Sequence, residues 1–120
     1  MAKFILAEEP RFTWPVEIRV PTESGTFQTQ AIRAQFRVLP QSRLEEIARA
    51  RVDDQDTNRS MIHEALIGWE ARDVVDEDGA EIPFSEGVKD QLLDIPYVLI
   101  AMAKAYRDAV ITGEKSKLGN

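Results

Sequence analysis

The sequence predicts an α+β domain: an N-terminal antiparallel β-hairpin packed against about four α-helices. Apolar residues alternate one by one over residues 12–20, the period of two that marks a half-buried strand. From Leu44 onward they recur at spacings of three and four, the period of a helix face. Turn formers, Pro21-Thr22-Glu23-Ser24-Gly25 and then Leu39-Pro40, separate the strands from each other and from the helices.

The first strand carries Phe12, Trp14, Val16, Ile18 and Val20 on one face and Thr13, Pro15, Glu17 and Arg19 on the other. Pro15 has no amide proton to donate, so this strand is expected either at a sheet edge or to begin in earnest only after Pro15. The return strand runs from Thr26 to Val38, with Ile32, Ala34, Phe36 and Val38 alternating against Arg33, Gln35 and Arg37. Phe27 is out of phase with them, which predicts a bulge or twist near Thr29–Ala31. A lone hairpin is marginal in water, so its apolar face requires a cover of helices or of a second copy.

Ser42 with Glu45 forms a capping-box pattern, opening a first helix with Leu44, Ile47, Ala48 and Val52 on one face. Asp53-Asp54-Gln55-Asp56 is an acidic break that places negative charge at the start of the next helix. That second helix is expected from Thr57 or Asn58, with Ile62, Ala65, Leu66 and Trp69 sharing a face and Trp69 closing it. Val74, Val75 and Ile82 around Asp78-Gly79 form a minimal second hairpin. Ser85 caps a third helix with Val88, Leu92 and Leu93 inward, and Pro96 begins a strongly apolar fourth, Tyr97 to Ile111, ended by Gly113.

With 120 residues the chain fits one domain, divided into a lead-in 1–11, hairpin 12–38, helical part 42–112 and polar tail 113–120. Its 43% hydrophobic content argues against disorder. The absence of Cys excludes disulfides, thiolate metal sites and cysteine nucleophiles. A net charge of −6 argues against nucleic acid as a partner. No window approaches the roughly 18–20 apolar residues of a membrane span, and Lys3–Ala7 is too short for a secretory apolar core. The expectation is a cytoplasmic protein without a membrane partner.

Little in the sequence points to catalysis. Aligning Asp73–Glu81 with a calcium loop, Gly79 at position six, leaves Val74 at position one and Ser85 at twelve, so both anchoring ligands fail even though Asp76 and Asp78 fit. His63 is alone, which removes His-based triads and multi-histidine zinc sites and makes a surface or boundary role the expectation. Glycines are scattered singly and form no phosphate loop. No cofactor and no catalytic residue is expected.

Taken together, Phe12-x-Trp14-Pro15-Val16, Gly25-x-Phe27, Ala34-x-Phe36, Gly68-Trp69, Asp78-Gly79, Ile82-Pro83-Phe84-Ser85 and Ala105-Tyr106 with a Lys-rich end give the chain a further character. In this order, over about residues 12–117, they resemble a family of tail assembly chaperones of long-tailed bacteriophages and prophages. The resemblance implies a protein that acts in the bacterial host cytoplasm and is absent from the finished virion. It would bind the tape measure protein, help recruit tail tube subunits, and have no catalytic residues. Excess apolar surface on the hairpin and last helix fits such a role and self-association; the alternative is that both are simply internal core, the expectation for each residue taken singly. Phe12, Trp14, Trp69, Phe84, Tyr97 and Tyr106 are the candidate interaction or structural residues. The rival readings are a structural minor tail or head–tail joining protein, and a calcium-dependent module using Asp76 and Asp78.

Overall fold

A computed structural model describes residues 2–50 and 53–113. Strands β1 (Arg11–Pro21) and β2 (Phe27–Arg37) form the hairpin, followed by helices α1 (Gln41–Ala50) and α2 (Asp54–Ala65). A third strand, β3 (Leu66–Trp69), precedes α3 (Glu86–Leu93) and α4 (Pro96–Arg107), and α4 runs on into a π-helical turn, Asp108–Thr112. The result is a three-stranded antiparallel sheet, order β1-β2-β3, with the helices on its apolar face. The expected α+β architecture is present. The expected end of α1 at Val52 and the polar tail after Gly113 lie outside the described residues.

In the hairpin, alternation becomes burial. Val16 and Ile18 on β1 and Ile32, Ala34 and Phe36 on β2 are buried, while Thr13, Arg19, Arg33 and Arg37 face solvent. β1 is an edge strand, the position that Pro15 favours. The register runs unbroken from Arg11 opposite Arg37 to Pro21 opposite Phe27, so the bulge expected near Thr29–Ala31 does not form. Phe27 instead points to the outer face, where the Arg19 guanidinium lies 4.4 Å from its ring centre. That cation–π contact accommodates the out-of-phase aromatic without a break in the ladder. Across the loop, Gly25 takes a φ of 82°, and the hydroxyls of Thr22, Ser24 and Thr26 bond to one another.

The first two helices start earlier than their sequence signals. In α1 the Pro40 carbonyl accepts from the Arg43 and Leu44 amides, which places Ser42 inside the first turn instead of at the cap. Ile47 is buried and Leu44 partly so, but Ala48 is exposed. In α2 the cap is Asp53, whose carboxylate accepts from the Asp56 amide. The acidic break thus belongs to the helix start it was expected to precede.

The largest departure is at Trp69. Ile62, Ala65, Leu66 and Trp69 are all buried, as their spacing predicts, but not on one helix. Helix α2 ends at Ala65, and Leu66–Trp69 extends alongside β2, pairing Leu66 with Phe36 and Trp69 with Ala34 around an irregularity at Gln35/Phe36. Leaving the helix strands carbonyls at its last turn. Lys89 on α3, only 4% exposed, supplies the missing donor: its ammonium reaches the His63 carbonyl at 2.7 Å and the Leu66 carbonyl at 3.2 Å. Glu86 completes its shell at 3.0 Å.

Downstream, Ser85 accepts from the Val88 amide and caps α3 as expected. Val75 bridges Glu81 in the minimal second hairpin, with Gly79 at a φ of 84°. Helix α4 packs on β1 and on α2, burying Val98, Leu99, Met102, Ala103, Ala105 and Tyr106. Gly113, φ 71°, closes the π-helical turn in the left-handed conformation its lack of a Cβ permits.

Candidate functional site

The sheet is asymmetric in how far it is completed. β3 pairs only with residues 34–36 of β2. One step further, the Glu70 amide donates to the Arg33 carbonyl at 3.0 Å, and the Arg33 amide donates to Asp73 Oδ2 at 2.7 Å. The Asp73 carboxylate therefore takes the place of a strand residue and ends the ladder. Hydrogen bonds closing the hairpin at Thr22–Thr26 and at Pro10–Val38 show that even-numbered residues of β2 bond to β1. Antiparallel pairing alternates, so the amides and carbonyls of Phe27, Thr29 and Ala31 point the other way, where no strand lies among the described residues.

Beside that open edge is an apolar groove of about 220 Å³. Gln30–Ile32 form one wall, Asp73–Val75 a second, and Leu92, Ile95, Tyr97 and Val98 at the α3–α4 junction the floor and far side. Val75 and Tyr97 are partly exposed at its mouth, 49% and 37%. A row of free backbone donors and acceptors next to a slot for apolar side chains is the arrangement that accepts an added strand. It offers main-chain bonds for affinity and pockets at alternate residues for selectivity.

A second cavity, about 430 Å³, lies at the other end of the hairpin among Glu8, Glu9, Arg37, Leu39, Arg43 and Glu64. Its Arg43 and Glu64 are already paired with each other. The Arg43 Nε donates to both oxygens of Glu64 at 2.9 and 3.0 Å, and the Arg37 Nε donates to the Glu64 carbonyl at 2.8 Å. Hydrogen bonding to Arg43 holds the Glu64 carboxyl below its usual range, against an opposing push from burial. This cluster ties α1 and α2 to the end of β2.

The six aromatic candidates fall into three places. Phe12 stacks on Tyr106 with centroids 6.3 Å apart and meets Trp14 edge-on at 6.1 Å. Tyr106 is fully buried, and its hydroxyl accepts from the Leu39 amide at 2.8 Å and donates to the Arg37 carbonyl at 3.0 Å. Trp69 meets Phe84 edge-on at 4.8 Å and donates from its indole nitrogen to the Ile82 carbonyl at 3.2 Å. Only Tyr97 lines the groove. Five of the six are thus core or half-buried contacts of the chain with itself.

The acidic turn is likewise occupied by its own backbone. Asp76 Oδ1 accepts from the Asp78 and Ala80 amides, both at 2.9 Å. Among the described residues no group of three or more His, Asp or Glu side chains is placed to hold a metal ion. His63 is exposed and 2.7 Å from Asp90.

Sequence reasoning missed the open edge of β2 and the buried Lys89. The edge had a signal. Gly25 to Ile32 is an uncharged run of eight in a chain that is 30% charged. Strand edges left to solvent are ordinarily guarded by charge, proline or a bulge. No helix among the described residues is long and apolar enough to cross a membrane. Compared with protein-family models, with curated proteins and with solved structures, the chain matches none.

Proposed function

We propose that this chain is a non-catalytic assembly chaperone for phage tails. It holds the tape measure protein in a soluble form and assists tail tube assembly in the host cytoplasm without entering the virion. The reading joins the resemblance in the order of motifs to one structural observation: the apolar groove opens along an unpaired strand edge. Client segments with apolar faces would find main-chain partners there and cover for their side chains. Ile100, on α4 one turn beyond Tyr97, is 55% exposed and extends the apolar surface along the helix.

Co-expression with a phage tape measure protein tests this. The client is expected to move from the pellet to the soluble fraction, and Tyr97→Asp in the groove is expected to reverse that. A client no more soluble with the chain than without it would overturn the reading. Stoichiometric presence of the chain in purified particles would point instead to a structural tail component.

A further inference from the structure

The chain carries a segment suited to its own open edge. Phe4, Ile5 and Leu6 are 90%, 82% and 91% exposed, three large apolar side chains in succession with nothing packed on them. They lie in a lead-in without regular secondary structure before β1. In a strand, Phe4 and Leu6 share one face and Ile5 takes the other. Laid along β2, Phe4 and Leu6 would enter the groove near Val75 and Tyr97. Ile5 would lie on the outer face beside Phe27, itself 57% exposed, and Ala31.

The segment cannot reach the edge of its own chain. From Ala7 to Arg11 are four residues, spanning at most about 14 Å. Arg11 is paired with Arg37, and Ala31, the near end of the open edge, is six residues along β2 from there. That is about 20 Å along the strand and two strand spacings, about 10 Å, across it, or about 22 Å in all. An intramolecular fourth strand is out of reach, whereas a segment from another molecule meets no such limit.

The other edge of the sheet is guarded. The odd-numbered residues of β1 present their backbone outward, and two of them are Pro15 and Pro21, which lack a donor, while Glu17 and Arg19 carry charge there. Joining two β2 edges directly would be a poorer match. The inward-facing residues of that edge are Gln28 and Gln30, so each copy would press amides into an apolar groove.

We propose that residues 3–7 of one copy add as a fourth strand to residues 27–31 of β2 in a second copy. The inference does not rest on the chaperone reading, since it concerns this chain alone and is measured without a client. Donor and acceptor are different surfaces, so the contact is heterologous: it closes as a reciprocal dimer or a ring, or propagates as an open chain of copies.

Two variants separate the surfaces. Phe4→Asp with Leu6→Asp disables the donor in a segment that contributes nothing to the core. Thr29→Pro removes an outward donor at the centre of the acceptor edge and leaves the ladder to β1 intact. If Thr29→Pro lowers the cooperative melt, Thr29→Lys with Ala31→Lys replaces it. Masses are measured by sedimentation at about 100 µM, where a micromolar interface is saturated.

The parent chain is expected above its monomer mass of 13.6 kDa, and each variant alone at that mass. An equal mixture of donor-disabled and acceptor-disabled chains should recover a one-to-one complex, because each supplies what the other lacks. A monomeric parent, a donor variant that keeps the parent's mass, or a mixture that stays monomeric would each overturn the proposal. Association through two β2 edges would leave the donor variant associated and the mixture without a one-to-one gain.

Discussion

Replacing Lys89 with Met tests what holds the helix-to-strand switch at Ala65–Leu66. The substitution keeps the aliphatic stem and removes the ammonium that reaches the His63 and Leu66 carbonyls at 2.7 and 3.2 Å. A buried polar group left without a partner costs about 1–3 kcal/mol. The His63 carbonyl bond is only part-buried and can be replaced by water, whereas the bond to the Leu66 carbonyl is buried. Relief of the buried ammonium's own desolvation works in the opposite direction. The net expectation is a loss of about 1–2 kcal/mol. With an unfolding entropy of about 2.1 cal/mol/K per residue, 120 residues convert this to a fall in Tm of about 4–8 °C. Glu86→Gln is the control, because that carboxylate is 73% exposed and its pairing with Lys89 is screened by solvent. Calorimetric or circular-dichroism melts of both variants decide it. A Lys89→Met chain as stable as the parent would show that apolar packing of β3 sets the switch and the ammonium is dispensable.

Three further outcomes are expected. Trp69→Ala should cost about 3–5 kcal/mol in denaturant melts, as for other large aromatic truncations in a core; a loss under about 1 kcal/mol would contradict its contacts with Phe84 and Ile82. Tyr106→Phe should cost about 1–3 kcal/mol by leaving the Leu39 amide without an acceptor. Burial raises the Tyr106 phenol above its ordinary value of 10.0, so its share of stability is intact below about pH 10 and lost as pH rises through the folded value; Tyr106→Phe should flatten that alkaline limb of a Tm–pH curve. Glu64 is shifted the other way, lowered chiefly by its hydrogen bond to Arg43. Its contribution is present above the unfolded value near 4.5 and lost as pH falls through the folded one, so Glu64→Gln should show a shallower acid limb than the parent.

The hairpin and the helix signals at Ser85 and Gly113 were legible because they are local, whereas the caps expected at Ser42 and at Thr57 or Asn58 were displaced. Phe12 to Val20 shows five apolar residues in strict alternation, Ser85 precedes a helix with its side chain free to cap, and Gly113 stands where a helix must stop. β3 was not legible, for two reasons. Four residues, Leu-Ile-Gly-Trp, are too few to display a period of two. Ile62, Ala65, Leu66 and Trp69 also satisfy helical spacing of three and four, so the burial of each was correctly anticipated while the conformation was not. What chooses the strand is non-local: the free side of β2 at residues 34–36 and an ammonium from α3 over the orphaned carbonyls. Lys89 itself is disguised, since Glu86 and Lys89 at a spacing of three look like an ordinary exposed pair on a helix.

The groove follows from where β3 stops. Had the chain continued as a strand past Trp69, it would have covered β2 to its tip and moved the sheet edge onto β3. Instead the backbone turns at Glu70–Asp73, and the Asp73 carboxylate seals the last paired position at Arg33. Val74 and Val75 then fold back as a wall facing the exposed half of β2, and the α3–α4 junction closes the space behind it. A carboxylate can end a ladder because it accepts but does not donate; it satisfies one amide and offers no template for the next residue. The sequence beyond that point, Phe27 to Ala31, has neither charge nor proline, although both appear on the opposite edge at Pro15, Glu17, Arg19 and Pro21. Among the described residues, then, the sheet is guarded along β1 and bare along the tip of β2.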